Sequence, residues 1–283
     1  MVCAMAVSAA PSRELPRGAS LAMVGDSLTG VSGKLRARFV ARTQAFAIPL
    51  LRTLFGESPA RAAGVYALPG ADEGRPFSFV TMRPFSDKVN GRIGNYRIGF
   101  WPGEQRRRDK MPAGFIEVTT GNQATVVSEH FRLADFLTHD QGDVWPKYLV
   151  LQERLLDKLE LVIAELRTRG ARVDRLEVMS GFRTPQYNIK GVGSGGRATD
   201  SRHQYGDAAD VYVVNGDRDW MADLNGDGRT DLRDARLLAD AAERVEARHP
   251  SLAGGIGIYP ATSAHGPFVH IDTRGVPTRW GQW

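Results

Sequence analysis

The chain has 283 residues, 42% of them hydrophobic and 24% charged, which is ordinary for a globular protein and enough for one large domain or two smaller ones. No apolar run approaches the roughly 20 residues that cross a bilayer, so no membrane span is expected, and the single cysteine, Cys3, excludes an internal disulfide. The net charge of +5 comes from arginine, clustered at Arg106-Arg107-Arg108 and along the predicted helices. It reads as a solvated surface. An anionic partner, nucleic acid or an acidic cell-wall polymer, is the alternative, but no recognition helix or RNA-binding signature supports nucleic acid.

Met1 to Ala10 is apolar, with small residues and a following Pro11, like the end of a secretory h-region; it lacks the basic n-region of a signal peptide. Residues 1–33 read as a flexible lead-in rich in Ala, Ser, Gly and Pro. From Lys34 to Phe39 charged and apolar residues alternate, the period of a half-buried strand. Similar segments follow at Gly64 to Leu68, Phe77 to Met82, Tyr96 to Phe100 and Phe115 to Thr119, separated by turns such as Pro69-Gly70, Asn90-Gly91 and Pro102-Gly103. Residues 34–125 therefore predict a small β-rich domain of unassigned role. The aromatic residues of Tyr96 to Trp101 suit its core; a groove for sugar or peptide is the other reading.

Residues 126–283 predict a second domain. Leu151, Leu155, Leu159, Val162 and Leu166 recur at helical spacing, with Pro146 placed for a first turn and Gly170 for a cap. His130 and His139, beside Glu129 and Asp140, read as cap and turn residues, with a second metal cluster as the alternative. Arg175 to Met179 predicts a strand that delivers Arg183 to its edge, and Gly191 to Gly196 predicts a mobile loop beside the site. His203, Asp210 and the distant His270 form a set of two imidazoles and a carboxylate, which suits Zn2+. Three protein ligands leave a fourth position for water, the arrangement of a catalytic site. Val211 to Val214 predicts the strand that steadies Asp210. Gly254 to Pro260 predicts a glycine-broken strand, and an extended Phe268 to Asp272 puts Asp272 on the same face as His270.

Residues 215–248 read as an insertion carrying its own motif. Oxygen side chains of Asp223, Asn225, Asp227, Asp231 and Asp234 fall at the positions of a Ca2+ loop, with Gly226 at the turn and the backbone carbonyl of Arg229 as a further ligand. The stretch resembles the calcium loop of dockerin modules. Those carry two loops and this chain one, so cohesin binding is not implied. A structural Ca2+ bracing the insertion is the expected role.

Ser180-Gly181-Phe182-Arg183-Thr184-Pro185, Ser201-Arg202-His203 through Asp210, and Phe268-Val269-His270-Ile271-Asp272 resemble, in order and spacing, three motif blocks of zinc D-alanyl-D-alanine carboxypeptidases and related murein endopeptidases. The resemblance covers residues 128–283. It implies an α+β fold with a central antiparallel sheet, and hydrolysis of peptide bonds in peptidoglycan stem peptides by a metal-activated water. It also implies a periplasmic or extracellular place in a bacterial cell envelope. His203, Asp210 and His270 match the zinc ligands, and Arg183 matches the arginine that contacts the substrate carbonyl or carboxylate. Many relatives carry a carboxylate three residues before the last ligand, where this chain has Pro267. Asp272 and His265 remain as candidate general bases, with Asp272 alternatively orienting a ligand imidazole. That departure keeps open an inactive zinc-containing module that binds peptidoglycan or a protein without cutting. The residues alone set neither the bond cut nor the oligomeric state.

Overall fold

The computed structural model describes residues 26–68, 77–193, 196–217 and 219–283. Most of the expected lead-in, the Pro69-Gly70 turn and Ser194-Gly195 of the glycine-rich stretch lie outside these residues. The end of the lead-in is anchored: the backbone amides of Val31 and Ser32 donate to the Asp157 carboxylate at 3.3 and 3.1 Å.

Among the described residues, seven strands precede the first long helix. They are β1 (Ala37–Ala41), β2 (Gly64–Ala67), β3 (Ser78–Pro84), the two-residue β4 (Arg92–Ile93) and β5 (Tyr96–Arg97), β6 (Gly114–Val118) and β7 (Lys147–Leu149). β3 is the hub of the first sheet: β1 lies parallel to it, and β2 and β6 pair with it antiparallel. β7 extends the sheet from β6, setting Ile116 opposite Leu149. Strand character was thus expected in the right places, except that the Tyr96 to Phe100 segment pairs only over Tyr96–Arg97. Three short helices, Arg42–Ala45, Pro49–Phe55 and Ser58–Arg61, occupy a stretch for which the alternation gave no prediction. Pro49 in a first turn followed by Leu50, Leu51, Leu54 and Phe55 is the helical signal there.

The first long helix runs Glu153–Thr168, not from Pro146. Tyr148, Leu149, Val150 and Leu151 are all buried, a continuous apolar run with no polar face to give a helix, and it serves as β7 and the link beyond it. At the other end Gly170 follows the helix with φ +85°, as its expected capping role requires.

The second sheet comprises β8 (Arg175–Ser180), β9 (Ala208–Val214), β10 (Gly255–Tyr259), β11 (Phe268–Asp272) and β12 (Thr278–Gly281). Its order is β12-β10-β11-β9-β8, antiparallel throughout except for the parallel β10–β12 edge. The helix Leu232–Arg248 packs on β10, β11 and the first long helix. β10 is continuous despite its glycines, and they have a use. A Cβ on Gly257 would lie 2.4 Å from the Trp280 ring, so the bare backbone makes room for that indole.

The architecture is mixed α+β, with most of both sheets and both long helices contributing to one apolar cluster that runs from Leu35 to Ile271. Residues on both sides of position 125 share it, among them Leu35, Tyr96, Phe115 and Leu155. A smaller cluster of Val40, Ala45, Leu51, Leu68, Phe77 and Phe79 lies under the three short helices.

At Gly206 the chain turns from a short 3-10 segment, Arg202–Tyr205, toward β9 with φ +67°. A side chain there would place its Cβ 2.2 Å from the Val150 carbonyl oxygen. Gly206→Ala is expected to lose more than about 1 kcal/mol of stability. Gly142, where an added Cβ would meet nothing within 4 Å and φ is not positive, is the control, and alanine there is neutral or stabilising. Urea unfolding of the two variants checks the contrast.

Candidate metal centre and cleft

The second sheet brings the predicted ligands together by register. On neighbouring strands β9 and β11, Asp210 sits directly opposite His270. His203 arrives from the 3-10 segment that precedes β9. His203 Nε2 lies 3.1 Å from His270 Nδ1 and 3.2 Å from Asp210 Oδ1, and His270 Nδ1 lies 2.9 Å from the same oxygen. All three residues are buried, and among the described residues they form a group whose ligand atoms all lie within 4.8 Å of one another.

The remaining atoms of these side chains are committed elsewhere, and that sets which nitrogen faces inward. His203 Nδ1–H donates to the Gly181 carbonyl at 2.7 Å, which leaves Nε2 as its free lone pair. His270 Nε2–H donates to Asp272 Oδ2 at 3.1 Å, which leaves Nδ1. Burial lowers the His203 pKa in spite of Asp210, favouring the neutral imidazole that a metal needs. Burial would also push Asp210 up, but the His203 and His270 imidazoles hold it well below the usual carboxylate range. For His270 burial works downward, and the flanking carboxylates of Asp210 and Asp272 outweigh it. Two imidazoles and an ionised carboxylate at this spacing fit a small borderline cation, whose tetrahedral ligands sit about 3.3 Å apart for bonds of about 2 Å. The site can therefore bind a metal, and its chemistry is consistent with zinc.

Arg183 completes the cluster. The Gly181 and Phe182 turn after β8 carries it over Asp210, where its guanidinium pairs with Oδ2 while Nε donates to Ser180 Oγ at 2.9 Å. Burial lowers its pKa, with Asp210 opposing and the like charge of Arg197 adding to the effect. His203, Asp210, His270 and Arg183 all line a cleft of about 660 Å³, together with Tyr187, Arg197, Tyr259, Phe268, Arg274 and Trp280. Trp280 packs against His270 with ring centroids 5.1 Å apart. Of these six only Phe268, at the start of the last motif block, was singled out from the sequence. Arg274 and Trp280 closely follow the last motif block, and Arg197 immediately follows the glycine-rich stretch, which were the available signals.

The two candidate bases lie elsewhere. Asp272 is fully buried across the His270 ring, where it also accepts from the Gly255 amide at 2.7 Å and pairs with Arg274. Burial would raise its pKa; His270 and Arg274 hold it below the usual carboxylate range. His265 is outside the cleft, in a smaller hollow with Trp220 and Asp219, and its Nδ1–H donates to the Gly266 carbonyl at 2.8 Å. His130 and His139 are apart from each other: the first pairs with Glu160 at 2.7 Å, and the second, at the cleft, bonds the Met179 carbonyl at 2.8 Å.

Behind Asp272 lies a buried ionic network that the sequence pattern did not reveal. Lys158, with no exposed surface, donates to the Asp272 backbone carbonyl at 2.6 Å and pairs with Glu246 at 2.5 Å. Glu246 in turn accepts from the Gly254 amide and from Arg279. Lys158 lies between Leu155 and Val162 at helical spacing, so its place in the apolar stripe was the clue.

In the predicted calcium loop, Asp223 accepts from the amides of Gly226 and Gly228 at 2.8 and 2.7 Å, and Asn225 and Asp227 bond amides two residues on. Asp231 caps the helix Leu232–Arg248, and Asp234 Oδ1 accepts from the Leu224 amide at 2.8 Å. Arg233 pairs with Asp227 and Asp231. The Arg229 amide donates to Asp227 Oδ1 at 3.0 Å. Of the aromatic residues expected in the N-terminal core, Tyr96 and Trp101 are buried there with Ile98, whereas Phe100 is exposed; the Trp101 indole donates to the Gln204 carbonyl at 2.9 Å, beside His203.

Lys158→Met is expected to destabilise the fold by less than the roughly 3 to 5 kcal/mol of a fully stranded buried charge, because Glu246 keeps Arg279 and the Gly254 amide while the Asp272 carbonyl loses its donor. Combined with Glu246→Gln it should cost less than the sum of the single changes, as urea unfolding of all three variants will test.

No protein-family model matches the chain, and no curated protein matches it. Among solved structures, the crystal structure of Serratia marcescens L-Ala D-Glu endopeptidase ChiX is similar to it over 45% of this chain and 85% of that one, at 20% identity and a TM-score of 0.28. So slight a likeness carries no weight on activity, and the functional reading rests on the residues of the cleft.

Proposed function

We propose that the chain is a zinc-dependent peptidase that hydrolyses peptide bonds in peptidoglycan stem peptides. The observation that carries this reading is the convergence of buried His203, Asp210 and His270 with Arg183 at one cleft. The resemblance of the three motif blocks to zinc D-alanyl-D-alanine carboxypeptidases and murein endopeptidases supplies the substrate class. Zn2+, when bound, supplies Lewis acidity toward a carbonyl and acidifies water, giving a nucleophile near neutral pH.

The chain's own groups do the rest. The Gly181 carbonyl and the Asp272 carboxylate fix the two imidazoles in the orientation and tautomer a ligand needs. Arg183, held by Ser180 and Asp210, presents a permanent positive charge to the oxygen that becomes negative on tetrahedral attack. The bond from His270 to Asp272 supports the orienting role for that carboxylate over the role of general base.

A second reading is favoured by the same placement. Neither Asp272 nor His265 lines the cleft. The other lining carboxylate, Asp200, is engaged by Tyr205 at 2.5 Å and by Arg107 at 3.0 Å. A module that keeps its metal and binds peptidoglycan or a protein without cutting fits this arrangement. In either reading the protein works in the cell envelope, periplasmic or extracellular. Ca2+ in the Asp223–Asp234 loop would brace the start of the helix that carries Glu246, and so the support behind His270.

Incubation with purified muropeptides in zinc-replete buffer should release cleaved peptides, and a chelator should stop the reaction. No cleavage with zinc present, together with retention on insoluble peptidoglycan, selects the binding module. His203→Ala should lose both bound zinc and activity, whereas Arg183→Ala should keep zinc and lose about 100- to 1,000-fold in kcat. For the loop, removing Ca2+ is expected to lower the melting temperature of the chain, and Asp223→Ala should abolish that shift. A melting temperature indifferent to Ca2+ counts against the bracing role.

A further inference from the structure

Four guanidinium groups line the cleft: Arg183, Arg197, Arg202 and Arg274. Three are paired with carboxylates, Arg183 with Asp210, Arg202 with Asp207 and Arg274 with Asp272. Arg197 is the exception, with no carboxylate partner among the described residues. Its NH1 donates to the Tyr187 backbone carbonyl at 2.9 Å, and its guanidinium lies 4.4 Å from the centroid of the Tyr187 ring. A neutral carbonyl and an aromatic face orient a guanidinium without cancelling its charge.

The residue is also held in place before any ligand arrives. Its amide donates to the Gly191 carbonyl at 2.9 Å, and its stem lies against Gly191, where a Cβ would come within 2.4 Å of the Arg197 Cδ. With NH1 taken by Tyr187, the Nε and NH2 donors have no protein partner among the described residues. Those two N–H groups form the side-on fork that matches the two oxygens of a carboxylate. Arg197 lines the same cleft as Arg183 and the candidate metal ligands.

We infer that Arg197 is the carboxylate receptor of this cleft, so that the preferred peptides carry a free carboxylate beside the scissile bond. The assignment rests on the cleft being the peptide-binding site. Two sources offer the same chemistry in stem peptides: the C-terminal carboxylate of D-alanyl-D-alanine, and the α-carboxylate of a γ-linked D-glutamyl residue.

The test uses two matched pairs with the full-length chain. One is diacetyl-lysyl-D-alanyl-D-alanine and its C-terminal amide; the other is L-alanyl-D-glutamate with its γ-carboxyl blocked as an amide, and the same compound with the α-carboxyl also amidated. Hydrolysis is measured with zinc-loaded protein, and binding by calorimetric titration of chelator-treated protein. In at least one pair the acid should be preferred about 10- to 100-fold, through KM with kcat little changed, and bound more tightly by a similar factor. Which pair discriminates identifies the source. Arg197→Gln should erase the preference, and Arg197→Lys should keep part of it, which separates lost charge from misfolding. Equal handling of acid and amide in both pairs overturns the inference, as does discrimination that survives Arg197→Gln. Discrimination in binding without any cleavage upholds Arg197 and removes the peptidase reading instead.

Discussion

The centre of the molecule is one carboxylate, Asp210, buried on an interior strand. An ionised carboxylate out of water is costly unless it is paired and hydrogen-bonded. Here a guanidinium takes Oδ2, and the two imidazoles turn their unprotonated nitrogens toward Oδ1, the side on which a cation would sit. Each of those partners needs its own support, and the fold supplies it from different elements: the Gly181 turn for His203, Asp272 for His270 and Ser180 for Arg183. Much of the second sheet can be read as what is required to keep that one charge where it is.

The support extends outward in shells. Asp272 is fixed by Arg274, by the Gly255 amide and, through its backbone, by Lys158. Lys158 and Glu246 belong to the two long helices, so helix packing and ligand orientation are one problem here. On the opposite flank the N-terminal region reaches the same motif. Trp101 bonds the Gln204 carbonyl, Arg107 pairs with Asp200, and the Gln186 amide donates to the Ile98 carbonyl. The aromatic segment therefore contributes more than filling to its own core: it props the backbone that carries His203.

The residues that converge on the candidate metal centre were legible in the sequence because chemistry restricts them to a few types at fixed separations. Strands in the first sheet were legible from their alternation. Other features depend on tertiary contacts that periodicity cannot show. Lys147 to Leu151 is an apolar run equally compatible with strand or helix, and only its pairing with β6 decides. Lys158 looks like an interruption of a stripe until its buried partners are known. Arg197 stands beside glycines that suggest mobility, while its importance comes from what its three neighbouring arginines have and it lacks. The bases proposed from Asp272 and His265 depended on which side of a ring, or of a loop, a side chain would fall.

The order of the second sheet sets how long the centre can persist. β9 and β11 are interior strands, each hydrogen-bonded on both sides. Edge strands fray in local openings, whereas interior strands separate only when the sheet as a whole comes apart. Asp210 and His270 are therefore held opposite each other for as long as the sheet stands, and the arrangement of their ligand atoms is set before any ion arrives.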